Sequence, residues 1–474
     1  MNSYTSDLLA NGPLLALTLT GLVLIVIEST KESRINITFG AGIAGLLVTG
    51  LLACFHLNPE QPTFNGMLNA GGFGSYFIIL FVIAAILTFL LSRSYLARME
   101  NEKGEYYILI VFATVGMVLM ACANDLIIVF LGIELMSVCL YVLVGFFRIK
   151  DRSNESSIKY FLLGAFATGF LLYGIALVYG ASGTTNLRLI AASFQALSGN
   201  TLFIIGVALM IVGFSFKVAA VPFHMWAPDV YEGAPTTVTG FMSTGAKAAA
   251  FAVFVVVFDR TLGYSGGRIN DVIAAIAAAS MIVGNVIAIA QTNIKRMLAY
   301  SSVAHAGYML SGVAAANVDG QSGVLFYLVA YLFMNLGAFG IVGIMEQEDG
   351  KNLTLDDYAG LSSQRPLLSL LMAVFMFSLA GVPPFGGFFG KYYVFLAAVK
   401  ANMTWLAVIG VLTSLVSAYY YLRVVVLMYF RDGKADAPKK PSLGAMVAVG
   451  LSALFILQLG LYPSAVVQLI QSFH

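Results

Sequence analysis

A few ionisable side chains stand in stretches of this sequence that are otherwise too apolar to tolerate them. Glu134 lies in IIVFLGIELMSVCLYVLVG, Lys217 in IIGVALMIVGFSFKVAAVPFHMW, Lys247 in PTTVTGFMSTGAKAAAF, His305 in IKRMLAYSSVAHAGYMLSG, Lys391 in PPFGGFFGKYYVF and Lys159 in SSIKYFLLGAF. A charge near the bilayer centre costs at least about 2.5 to 3.5 kcal/mol even on the mildest insertion scale, and the residues that persist there face a wet or polar interior. Carboxylate, ammonium and imidazole in such settings point to proton transfer. Glu134 is either a structural partner for a lysine or one half of a working pair with Lys217. Burial and a neighbouring carboxylate act in opposite directions on a lysine's hold on its proton. Moving one charge across 100 mV is worth about 2.3 kcal/mol, so gaining or losing that partner suffices to load or unload the site.

Lys247 stands twelve residues, about 18 Å of helix, beyond Pro235, which is deep for a side chain that only reaches for an interface. Ser243 and Thr244 beside it could orient water, and a proton relay is the favoured reading. His305, close in sequence to Ser301, Ser302 and Tyr308, titrates near neutrality when unperturbed. It is either a hydrogen-bonded packing residue or a relay that carries charge laterally from Lys247 to Lys391. Lys159 sits near a span end, where it could snorkel or take part in transfer. His224, in VPFHMW, could gate entry or cap freed carbonyls.

Two proline sites dictate the elements that position these groups. Pro222 follows Lys217 by five residues, and the pair Pro383 and Pro384 precedes Lys391. Proline removes a backbone donor and clashes with the preceding turn, so each helix should break there. Irregular backbone at membrane depth survives only inside protein or beside a water-filled cavity, which makes Pro222, Pro383 and His224 candidate gates. The surroundings match loosely, GFSFKVAAVPFHMW against MFSLAGVPPFGGFFGKY. The glycines after Pro384 lack a preceding strand and a Lys-Ser or Lys-Thr ending, so a phosphate loop is excluded. Gly386 and Gly390 read as close-packing positions.

Hydrophobic residues make up 59% of the chain and charged residues 10%, with a mean hydropathy of +0.89. This is an integral membrane protein. Cys54, Cys122 and Cys139 show no CxxC spacing, so no disulfide, zinc or iron-sulfur framework is indicated, and a net charge of +2 gives no reason to expect nucleic acid. The start, MNSYTSDLLANG, has no basic region, so the first apolar run reads as a retained span. With roughly 20 apolar residues per crossing, the expectation is an all-α membrane fold of about fourteen transmembrane helices. Span five covers 125–147, span seven 200–227, span eight 235–258 and span twelve 366–399. Spans seven and twelve are five apart and so run in opposite directions, the pattern of inverted repeats with discontinuous helices. Arg93, Arg98, Arg148, Arg152, Lys295, Arg296, Lys439 and Lys440 follow odd-numbered spans, whereas Arg188, Arg260, Arg268 and Lys400 follow even ones. The odd loops are then cytoplasmic and both termini external. Glu134 stands out as the one plainly mid-membrane carboxylate.

Residues Lys159–Gly180 (KYFLLGAFATGFLLYGIALVYG), together with FKVAAVPFHMWAPDVYEGAP, QTNIKRMLAYSSVAHAGYML and LLMAVFMFSLAGVPPFGGFFGKYYVF, resemble the subunit N family of NADH-quinone oxidoreductases, antiporter-like membrane subunits of bacterial respiratory complex I. The resemblance spans about residues 105 to 430. It implies two inverted five-helix repeats, 106–258 and 259–430, flanked by N-terminal helices in 1–105 and a C-terminal helix in 431–474. It also implies a proton channel through Glu134, Lys217, Lys247 and Lys391, with His305 in a central polar axis. NADH, FMN, iron-sulfur clusters and quinone would belong to partner membrane and peripheral subunits, with no cofactor or metal on this chain, in a bacterial plasma (inner) membrane. The family's usual Thr-Pro after GAP is Thr236-Thr237 here, which bears on the entry to the Lys247 helix. Alternative readings are a subunit of a multi-subunit cation/proton antiporter or of a membrane-bound hydrogenase complex.

Overall fold

A computed structural model describes residues 3–29, 35–57, 60–262, 267–347, 350–433 and 441–472. Lys439 and Lys440, used above for sidedness, lie outside the described residues. The described chain is helical almost throughout, apart from a small antiparallel pair of strands, Gln61–Thr63 and Leu68–Ala70. Ten of its helices are long and apolar enough to cross a membrane. They are Ile35–Phe55, Gly72–Arg98, Glu105–Cys122, Leu126–Val144, Asp151–Ser182, Thr236–Thr261, Arg268–Ile289, Val318–Met345, Thr404–Phe430 and Leu443–Leu461.

The apolar stretch of the helix Thr236–Thr261 is enclosed by the others, with Arg260 and Thr261 partly exposed at its end, and the helices Val318–Met345 and Gly72–Arg98 are largely buried beside it. Outer helices turn large apolar side chains outward, such as Phe166 and Leu415, as lipid contact requires. Helix starts carry Asx caps. Asn200, Asn293, Asn186 and Asp125 each accept backbone N–H groups of the first turn through their side chains, satisfying donors that have no partner within the helix. Small residues set the tightest approaches. A Cβ on Gly116 would meet the backbone of Gly132 and Met136, and one on Gly284 would meet that of Tyr300 and Ala304.

Both expected breaks are present, and they are built differently. The helix Thr201–Lys217 ends at the lysine itself, and the chain turns through residues 218–225 before the short helix Trp226–Gly233. The expected span 200–227 is thus a helix plus a non-helical turn. In the second case Pro366–Ala380 stops and Gly386–Lys400 resumes, with Gly381 in the left-handed region at φ 86°. The corresponding left-handed residue of the first break is Ala219, at φ 58°. Each break contains a cis proline peptide, Val221-Pro222 and Pro383-Pro384. Gly386 and Gly390 do permit close packing: an added Cβ would lie 2.9 Å from Leu459 Cβ and 3.0 Å from the Tyr327 ring, respectively.

Candidate functional site: a buried row of lysines and tyrosines

Lys217 is buried, and its Nζ donates to Ser137 Oγ at 2.8 Å. Ser137 lies one turn after Glu134 on Leu126–Val144, so the two share a helix face. Glu134 itself makes no ion pair with Lys217, and its buried Oε1 has no hydrogen-bond partner. Lys217 therefore meets Ser137 directly, with Glu134 one turn away on the same helix. A hydroxyl both donates and accepts, so Ser137 can pass the proton or yield its place to the carboxylate.

Lys247 is buried on the enclosed helix, immediately after a π-helical segment, Met242–Ala246. Its ammonium donates to the carbonyl oxygen of Ser302, at 2.6 Å, and to the Ser302 hydroxyl. Ser243 and Thr244, expected to serve it, are engaged elsewhere. The Ser243 hydroxyl accepts from Asn335 Nδ2 at 2.7 Å and Thr244 bonds Gly240 O. One turn beyond Ser302, His305 is held at both ring nitrogens, Nδ1 to Tyr327 Oη at 2.7 Å and Nε2 to Tyr421 Oη at 3.0 Å. The Tyr421 hydroxyl also bonds Ser301. Asn285 ties the next pair, donating to Tyr308 Oη at 2.9 Å and accepting from Tyr420 Oη at 2.8 Å.

Lys391 ends the row. Its Nζ donates to the carbonyls of Leu379 (3.0 Å) and Ala380 (2.9 Å) and to Ser414 Oγ (2.7 Å), and lies 4.9 Å from the Tyr308 ring centroid. Those carbonyls are among the acceptors freed where Pro366–Ala380 stops, so the lysine caps the break. Between Lys247 and Lys391 the groups meet through these hydroxyls and through ring contacts, His305 with Tyr308 at 5.5 Å and Tyr420 with Tyr421 at 4.4 Å between centroids.

The other expected residues lie apart from this row. Lys159 is part-exposed and ion-paired with Glu155 at 2.6 Å and Asp229 at 3.1 Å, and Asp229 and Glu232 in turn hold Arg296, each at 2.8 Å. Pro222 and Pro383 are exposed at the chain surface rather than lining the row. Trp226 caps the first break, its Nε1 donating to Phe216 O at 3.0 Å, while His224 lies against the Pro222 backbone within the break and its buried Nδ1 has no partner. Thr237 donates to or accepts from Tyr106 Oη at 2.8 Å, and Thr236 donates to Glu346.

Two buried ionisable residues, Glu346 and Asp259, went unread in the sequence, and a third, Lys295, reads there only as a loop charge. Lys295, only 1% exposed, donates to Ala234 O at 2.7 Å, and Glu346 accepts from Tyr95 Oη at 3.0 Å. Asp259, in the last turn of the Lys247 helix, is 0% exposed, with the Gln321 amide beside its carboxyl. The signal was the helix length: the Lys247 helix continues to Thr261, past the expected end at 258.

A membrane chain that is helical almost throughout, with a buried lysine at each of two broken helices, has the build of an ion- or proton-translocating membrane protein. Residues 123–417 match the family described as NADH:quinone oxidoreductase/Mrp antiporter, TM. The chain is 48% identical to NADH-quinone oxidoreductase subunit N 1 of Chloroherpeton thalassium, covering 98% of each. It is 47% identical to NADH-quinone oxidoreductase subunit N of Trichlorobacter lovleyi, covering 97% of this chain and 95% of that one. A chain of respiratory complex I from Thermus thermophilus with bound aureothin superimposes with a TM-score of 0.84 at 33% identity, covering 96% of this chain and 98% of that one. The chain belongs to this family, on its NADH-quinone oxidoreductase subunit N branch.

Proposed function

We propose that this chain is a proton-translocating membrane subunit of an NADH:quinone oxidoreductase of the complex I kind, coupling electron transfer in partner subunits to proton movement across a bacterial plasma membrane. The observation that carries the mechanism is the buried row from Lys247 through Ser302, His305 and the tyrosine hydroxyls to Lys391, with Lys217 and Glu134 at the first break. Glu134 sets the proton affinity of Lys217 across Ser137. Lys247 and His305 pass the proton along the middle of the membrane, and Lys391 receives it at the second break. Lys159 feeds the row from the ionic cluster at its cytoplasmic end, and His224 stands at the mouth of the first break.

Fourteen crossings follow if Gly12–Glu28, Thr201–Lys217, Ile294–Ala314 and the broken pair Pro366–Ala380 with Gly386–Lys400 are added to the ten long helices. Both termini then face outward. The division into 1–105, repeats 106–258 and 259–430, and 431–474 is supported by helix pairing. Glu105–Cys122 packs on Leu126–Val144 at Gly116 and Gly132, and five crossings later Arg268–Ile289 packs on Ile294–Ala314 at Gly284 and Gly307. We assign NADH, FMN, iron-sulfur clusters and quinone to partner subunits.

The test is NADH-driven proton pumping in membranes carrying Lys217→Ala, with assembly of the complex measured separately. We expect an assembled complex whose pumping and coupled quinone reduction fall sharply. Wild-type pumping would make Lys217 structural and remove the centre of the relay.

A further inference from the structure

The last turns of the enclosed Lys247 helix hold a carboxyl group that the relay described so far does not use. Asp259 is 0% exposed, and apart from the Gln321 amide beside it neither of its oxygens has a hydrogen-bond partner. It lies in a second π-helical segment of that helix, Val255–Thr261, as Lys247 directly follows the first, Met242–Ala246. Such segments are rare and frequently mark functional sites. An ionised carboxylate in this position is costly, and a proton is the simplest group that neutralises it.

Arg260, the next residue, acts on Asp259 through its charge, but no charged group bonds it. Arg260 on the same helix turns away to Glu60, at 2.8 Å, and stacks over Phe73 at 4.3 Å. Arg188, on the packed helix Leu187–Leu197, bonds Asn69 at 3.2 Å. Ile294–Ala314, also packed on this turn, carries no charged residue in its outer half. On the helix Val318–Met345, Asp319 is paired with Lys400 at 2.7 Å, and the Gln321 amide neighbours Asp259.

Position links Asp259 to the row. Tyr327, bonded to His305, and Gln321 share the helix Val318–Met345, separated by about 9 Å of axial rise. The turn bearing Asp259 also borders a pocket of mixed lining, in which Glu60, Arg188 and Arg260 stand beside Phe73, Leu187 and Val256. By the loop-charge argument this end of the helix faces outward.

We infer that Asp259 is the outward proton-binding site of the row, taking up by way of His305 and Tyr327 the protons that Lys391 holds at the second break and releasing them to the pocket beside Arg260. The inference rests on the proposed translocating function. Asp259→Asn removes the proton site at nearly constant volume, and Asp259→Glu keeps the carboxyl. Both are compared with wild type and Lys247→Ala in the complete complex in sealed membrane vesicles, reading NADH-driven proton transfer, its dependence on the pH of the external face, and assembly. The expected result is that Asp259→Asn assembles and loses as much proton transfer as Lys247→Ala, while Asp259→Glu restores it with a shifted pH profile. Wild-type transfer in Asp259→Asn overturns the outlet, while a loss in Lys247→Ala leaves the translocating function standing. Wild-type transfer in both variants overturns the two readings together. If only Asp259→Glu assembles, a shifted pH profile supports the outlet and an unchanged one overturns it. Failure of both variants to assemble makes Asp259 structural and also overturns it.

Discussion

The two broken helices solve one problem in different ways. A helix that stops inside a membrane leaves carbonyls without donors, and each must be satisfied inside the protein. At the first break neutral donors do this. The backbone N–H groups of Val218, Ala219 and Ala220 bond Phe214, Phe216 and Ser215, and the Trp226 indole adds a second donor to Phe216 O. Lys217 is thereby free to point sideways at Ser137 and toward the Glu134 helix. At the second break the lysine is itself the cap, holding Leu379 O and Ala380 O. One lysine is positioned by its surroundings, while the other helps to position them.

The largest consequence is expected at Lys391. Lys391→Ala leaves Leu379 O without its donor and Ala380 O with only the 3.3 Å contact from Ser414, at about 1 to 3 kcal/mol for each buried group left unsatisfied. Lys217→Ala leaves the carbonyl caps of its break intact. Both variants should lose pumping, but Lys391→Ala should also lower the thermal stability of the assembled complex more than Lys217→Ala does. Equal melting temperatures would erase the distinction between the two breaks.

The converse change should leave transport alone. Trp226→Phe removes the indole donor to Phe216 O and keeps an aromatic ring stacked between Tyr160 (4.7 Å) and Phe216 (5.2 Å). Phe216 O keeps its bond from Ala219 N at 3.0 Å, so the cost is about 1 kcal/mol, the worth of one ordinary hydrogen bond. A small fall in melting temperature with pumping retained is the expected outcome. Lost pumping at normal stability would mean that the indole acts on Lys217 and is more than a cap.

How much of this could be read beforehand depends on the properties that sequence periodicity encodes. Apolar run length gave the ten long membrane helices, and Pro222 and Pro383 marked the breaks, because these are local properties of the chain. Lys217, Lys247, His305 and Lys391 stood out because charge in an apolar run is conspicuous. Their partners did not. Ser137, Ser302, Tyr327 and Tyr421 are ordinary residues of apolar helices, and apart from their pairing across helices nothing separates them from tyrosines that only pack. Which donor caps a break is likewise a matter of tertiary approach: His224 and Trp226 are two residues apart, and only the tryptophan reaches Phe216 O. Asp259 was misplaced for a different reason. Hydropathy falls at the Asp-Arg pair, so the span was ended at 258, whereas the structure carries the helix one turn further and encloses the carboxyl.

The breaks also differ in the segments they lead into, and the smallest expected effect tests that difference. The second leads directly into the rest of its crossing, but the first leads into Trp226–Gly233, whose Asp229 meets Arg296 and Lys159. Burial alone pushes the Asp229 carboxyl up. The hydrogen bonds from Arg296 and Lys159, with their charges, outweigh this and hold it below the usual carboxylate value. A carboxyl bound more weakly to its proton in the folded state contributes stability at pH above its unfolded value, about 3.9, and that contribution is lost as pH falls through the lower folded value. Because the side chain is 38% exposed, solvent screening limits each pair to no more than about 1 kcal/mol. Asp229→Asn should therefore lower the melting temperature slightly at neutral pH, and the gap from wild type should close as the pH is taken down through the carboxylate range. A gap that persists in acid would mean that Asp229 holds the short helix by shape and backbone contacts, leaving its charge with no part in anchoring the first break.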